Sequence, residues 1–141
     1  MLEVVKFRPE HVSNIETDFD MPKSFKDAFR SGGDVDAFTV MQGDTVVALG
    51  GIHVLWDGVG EGFCMLSKHS GKWQTSIARY ARNMFEGIIQ NNGLHRVQAS
   101  IHESDPEAIR FAKWLGFENE GMMLHYGPDG SNYYRMSMVL L

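Results

Sequence analysis

Apolar residues alternate with polar ones in some stretches of the 141-residue chain and recur every third or fourth position in others. The two periods separate strands from helices. Residues 2–7, LEVVKF, are β-prone. Pro9 then opens a short helix expected to run to about Glu16, since proline is tolerated in a first helical turn. Pro22 starts a second helical segment, KSFKDAFR, that stops at Gly32-Gly33. A meander follows: strands at 37–42 and 45–54 flank the turn pair Gly43-Asp44, and Trp56-Asp57-Gly58 turns the chain into a third strand at 61–67. From Trp73 to Ile89 the period becomes helical, with Trp73, Ile77, Tyr80, Ala81, Met84, Phe85 and Ile88 on one face. Asn92-Gly93 ends that helix, and residues 95–101, HRVQASI, alternate as a strand.

Ser104 with Glu107 has the spacing of a capping box, with Asp105 as a competing N-cap and Pro106 in the first turn. Ala108, Phe111, Ala112 and Leu115 line one face of that last helix, and Gly116 suits the residue just past its end. Strands at about 117–125 and 133–140 close the chain. The class is therefore α/β (α+β): one domain over residues 1–141, with a mixed, largely antiparallel sheet of about seven strands flanked by about four helices. The strands at 61–67 and 95–101 are joined through a helix, so they are expected to pair in parallel with a right-handed crossover.

Composition narrows the function classes. The net charge is −5, and Arg79, Arg82, Arg96 and Arg110 are scattered among acids, so no nucleic-acid or membrane partner is expected. Cys64 is the only cysteine, which excludes an internal disulfide, and no Cys/His spacing suits a metal. A strand cysteine is expected to be core filler. The N-terminus has no apolar signal region and no stretch is long enough to span a bilayer, so a cytoplasmic location is expected.

The segment Asp105-Pro106-Glu107-Ala108, Ile109-Arg110-Phe111-Ala112, Lys113-Trp114-Leu115-Gly116-Phe117, then Glu120-Gly121, resembles the Asn-x-x-Ala-x-x-x-Tyr-x-x-x-Gly-Phe…Glu-Gly pattern of the GCN5-related N-acetyltransferases. The element order is similar over nearly the whole chain. A weaker similarity, through a Ser-Gly-Lys turn without a glycine pair, is to acetyltransferase-like proteins of tailed phages. The resemblance implies acetyl-CoA as co-substrate and an amine acceptor on a small molecule or protein, with a homodimer as a further expectation. The alternative it leaves open is a non-catalytic domain of the same fold.

In that family the parallel pair splays and acetyl-CoA enters the gap. The resemblance thus assigns cofactor binding to Cys64, Met65 and Leu66 on the first strand, and to the turn Lys68, Ser70, Gly71, Lys72 and Trp73. A helix N-terminus there suits a pyrophosphate. Cofactor binding is likewise assigned to Asp105, in the place of the family's Asn, and to Phe111. Two departures stand out. Gly71 is the only glycine of the turn, and Ala112 occupies the place of the family's proton-donating tyrosine.

Amine acetylation needs a base, and here the candidates are Glu61 at the start of a strand and His53 on its neighbour. Tyr126, Tyr133 and Tyr134 are each candidate acids or substrate-wall residues, with His102 and Glu103 just after the strand at 95–101 and His125 beside Tyr126.

Overall fold

The computed structural model describes residues 1–17 and 35–140. The helix expected after Pro22 lies outside the described residues. Seven strands form one sheet: β1 (Leu2–Lys6), β2 (Val35–Gln42), β3 (Thr45–Trp56), β4 (Val59–Leu66), β5 (Arg96–His102), β6 (Glu118–Met123) and β7 (Tyr133–Val139). Three α-helices are described, α1 (Pro9–Asn14), α2 (Gln74–Asn91) and α3 (Pro106–Leu115), and a single 3-10 turn at Gly71–Trp73 leads into α2. The spatial order is β1-β2-β3-β4-β5-β7-β6. Every neighbouring pair is antiparallel except β4 and β5, as expected.

Local chemistry accounts for most boundaries. Gly43 has φ +60 in the two-residue loop between β2 and β3, a conformation that glycine adopts without strain. α3 is capped by Asp105, whose carboxylate accepts from the Ala108 N–H at 3.1 Å. The competing cap at Ser104 is not used; its backbone N–H donates instead to His102 Nδ1. Gly116 ends α3 in the left-handed region, at φ 111. α1 stops at Asn14, two residues short of expectation.

The apolar faces then stack into layers. Ile77, Ala81 and Ile88 of α2 are buried against Phe38, Val40, Ile52 and Val97, with Phe85 edge-on to Phe38 at 5.6 Å. Phe111 of α3 packs on the same side. On the other face, Val12 and Ile15 cover Val46, Leu49 and Met65. His11 is buried in this layer, where its Nδ1 accepts from the Arg8 N–H and from the Thr39 hydroxyl at 2.7 Å.

Candidate active site

The parallel pairing of β4 with β5 covers only Val59↔Arg96, Gly60↔Val97 and Glu61↔Gln98. Beyond that rung the strands part. β4 runs on to Leu66 bonded only to β3, and β5 runs on to His102 bonded only to β7. A wedge therefore opens in the middle of the sheet, flanked by backbone edges that make no ladder to each other. Such edges are ready partners for an extended ligand.

Glu61 sits at the apex of this wedge. β4 begins at Val59 rather than at Glu61, so the residue lies within the sheet and not at a strand start. A Cβ placed on Gly62 would touch Val97, which belongs to the α2 side, so the alternating side chain of Glu61 stands on the opposite face. There its Oε1 accepts from Gln98 Nε2 and Arg135 Nη1, both at 3.0 Å, and its Oε2 accepts from Ser100 Oγ and Arg135 Nη1, both at 3.1 Å. These contacts occupy all of the roughly four acceptor positions of a carboxylate. The network continues: Arg96 Nε donates to Gln98 Oε1, and Arg96 grips Glu120 with both terminal nitrogens. Ser137 Oγ adds a bond to Glu120 at 2.6 Å. Arg96 and Ser137 together hold the Glu120 carboxyl at about 2.

At the mouth of the wedge the chain turns through Ser67–Ser70 into α2. His69 N–H donates to Ser67 Oγ and Ser70 N–H to the Ser67 carbonyl. Neither Ser70 at the 3-10 turn nor Trp73 at α2 donates or accepts a side-chain cap bond. Among the described residues, then, no N-cap side chain takes up the first N–H groups of this helix. Gly71 has φ +42 and open space where a side chain would stand. Lys68 lies 3.4 Å from Glu16, whose carboxylate also meets His69 Nε2 at 3.0 Å; His69 first and Lys68 second pull the Glu16 carboxyl below its ordinary range. Lys72 is exposed and lies over the Trp73 ring at 5.2 Å.

The remaining expected residues fall in three places. Cys64 is exposed rather than core filler, because β5 has already diverged where its side chain emerges. Leu66 is exposed too, whereas the Met65 side chain is buried in the α1 layer and can offer the wedge only its backbone. His53 is exposed and directly opposite Glu61 in the β3–β4 register. Tyr126, 45% exposed, packs edge-on against Tyr133, which packs against His102 at the end of β5. Burial raises the Tyr133 phenol above its usual range. On α3, Asp105 is engaged as the cap, Phe111 stacks on Trp114, and Ala112 is buried. Gln98, Ser100 and Arg135 at the apex were not foreseen from sequence.

No protein-family model matches the chain, and no curated protein matches it in sequence. Solved structures do match. Ard1 from Thermoplasma volcanium superposes with a TM-score of 0.78 at 17% identity, over 99% of this chain and 98% of that one. The ribosomal-protein-S18-alanine N-acetyltransferase from Escherichia coli gives 0.75 at 15%, over 99% and 94%. The structure of yncA from Salmonella typhimurium with its cofactor acetyl-CoA gives 0.71 at 14%, also over 99% and 94%. These likenesses run nearly end to end through both chains in each pair: this chain has the fold of the GCN5-related N-acetyltransferases.

Proposed function

We propose that the protein is an acetyl-CoA-dependent N-acetyltransferase acting on an amine. The observation that carries this reading is the interruption of β4–β5 pairing after Glu61, next to a helix N-terminus without a side-chain cap. The wedge fits an extended pantetheine arm along the backbone of residues 63–66, with Cys64 and Leu66 on its wall. The turn fits a pyrophosphate, which would meet Gly71 and the N–H groups after it, with Ser70, Lys68 and Lys72 close by in the turn and Trp73 bracing Lys72. Asp105 and Phe111 belong to the facing wall, the first through the α3 cap and the second through packing. The match to the structure of yncA with acetyl-CoA supports the same assignment.

Acetyl-CoA supplies an activated thioester, whose C–S bond breaks as the acceptor nitrogen forms the amide. An alkylamine with pKa ~10.4 is neutral about once in 2,500 molecules at pH 7, a cost of about 4.6 kcal/mol. A group that takes the ammonium proton is therefore needed. Glu61 is assigned that role, in exchange for one of its present bonds, with His53 opposite it as the second acceptor of protons. Proton return to the sulfur is assigned to the cluster of Tyr126, Tyr133 and His102.

A non-catalytic use of the same fold is the competing reading. It is favoured by Ala112, which has no proton to give, and by the fully bonded state of Glu61. Calorimetric titration of the full chain with acetyl-CoA separates the two. Micromolar binding is expected, whereas silence at millimolar acetyl-CoA would sink the enzyme reading. Glu61→Gln should then lower kcat by about 100-fold, in the range of a lost general base, while acetyl-CoA affinity stays within about twofold.

A further inference from the structure

Two arginines stand on the apex face, and they are used differently. Arg96 is spent: Nε bonds Gln98, and both terminal nitrogens bond Glu120. Arg135 is not. Only its Nη1 is engaged, bifurcated between the two oxygens of Glu61. Its Nε and Nη2 meet no partner among the described residues, and neither is a buried atom lacking a bond. Nε and Nη2 form the side edge of a guanidinium, the pair of parallel donors that grips a carboxylate bidentately. The side chain is 21% exposed, so the edge is open to solvent yet set within the sheet face.

We infer that the acceptor carries a carboxylate next to its amine, and that the Nε–Nη2 edge of Arg135 receives it. The inference rests on the proposed acetyl transfer and names its acceptor class. Glu61 and Arg135 are 3.0 Å apart, so an amine bound by one and a carboxylate bound by the other are close neighbours in the same molecule. An α-amino acid has that spacing. A polyamine places a second cation against Arg135, and a protein N-terminus offers an amide where the carboxylate should be. The other charges on this face do not disturb the match. Arg96 and Glu120 neutralise each other, Ser100 and Gln98 are neutral, and His53 stands exposed across from Glu61.

The test uses the full chain with acetyl-CoA and compares L-alanine, L-methionine, L-phenylalanine and L-glutamate with their α-carboxamides, with spermidine as an amine lacking a carboxylate. Free thiol release gives the rate, and calorimetric titration of the same compounds gives binding without turnover. At least one amino acid should exceed its own amide by about tenfold or more in kcat/KM, the scale of a lost charge-assisted pair. Arg135→Gln also frees Glu61, so turnover of acid and amide can both fall; the reading is the ratio, and the acid's advantage over its own amide in kcat/KM should drop by about the same factor. Arg135→Lys, which keeps the charge without the fork, should fall between. Amides or spermidine turned over as well as the acids by the unaltered protein would overturn the inference, whatever the variants do. Where no amine is acetylated, binding decides: an acid that binds while its amide stays silent upholds the site, and equal behaviour of the two overturns it. Failure of acetyl-CoA itself to bind is a separate result and counts against the acetyl-transfer reading alone.

Discussion

Glu61 is flanked by two glycines that the sheet treats differently. A methyl group on Gly60 would lie 2.4 Å from Ile52 Cγ2 and 3.3 Å from Leu94 Cδ1, inside the α2 core. The same group on Gly62 would meet nothing closer than Val97 Cγ1 at 3.4 Å, an ordinary contact. Ile52 is wholly buried and β-branched, so its rotamer has little freedom to give way. Gly60→Ala should therefore destabilise by about 1–3 kcal/mol, as overpacking does, while Gly62→Ala costs less than about 1 kcal/mol. Chemical denaturation of the two variants decides it, and equal losses would refute the packing argument. Glu61 was a candidate from its place at the start of the third meander strand, where the family resemblance puts a catalytic glutamate. Its partners were illegible. Gln98, Ser100 and Arg135 lie 37, 39 and 74 residues away, and only the cross-strand register brings them together. Cys64 was misread for the same reason: its exposure depends on where β5 leaves β4, which is not a local property.

Elements were far more legible than contacts, since caps and apolar stripes are written within a few residues of where they act. α3 illustrates both the success and its margin. Ser104 and Asp105 both had capping chemistry, and the N-cap place went to Asp105, immediately ahead of Pro106. Its carboxylate satisfies the Ala108 N–H at 3.1 Å. Asp105→Ala should cost about 1 kcal/mol, the usual loss for an N-cap, and Ser104→Ala should cost almost nothing. A reversed order in thermal melts would return the cap to Ser104. The cap bears on function as well. A carboxylate held in a helix cap beside the proposed wedge is less available to repel an anionic ligand than a free one. α2 shows the opposite design, with no side-chain cap at Trp73 and none at Ser70. Ser70 is itself in helical conformation, and its hydroxyl accepts from Gln74 at 3.5 Å, at the limit of a bond. The helix without a side-chain cap among the described residues is the one whose start follows β4 at the mouth of the wedge.

Across the whole molecule the titrating groups that matter push in one direction on the acid side. Glu120, held at about 2 by Arg96 and Ser137 against an ordinary 4.5, is charged in the fold where the unfolded chain would take up a proton. Its contribution is complete above 4.5 and is lost as the pH falls toward 2. Asp129, lowered by Ser131, and Glu16, lowered chiefly by His69, have the same sign. His11 acts higher. Burial first and the neighbouring Arg8 charge second lower it from 6.5, and the neutral ring accepts at Nδ1 from Thr39 and the Arg8 N–H, the bonds that anchor α1. Its contribution is complete above 6.5 and is lost as the pH drops below that value. Tyr133, raised by burial, stabilises below 10 and fails above it. Thermal midpoints should therefore be level from about pH 7 to 9, fall in a first limb below 6.5 and a second below 4.5, and fall again above 10. His11→Gln, which cannot titrate, separates the two acid limbs. It should lower the plateau, abolish the first limb and leave the second. A first limb that survives in this variant would place its origin elsewhere and disconnect the α1 anchor from the acid response of the fold.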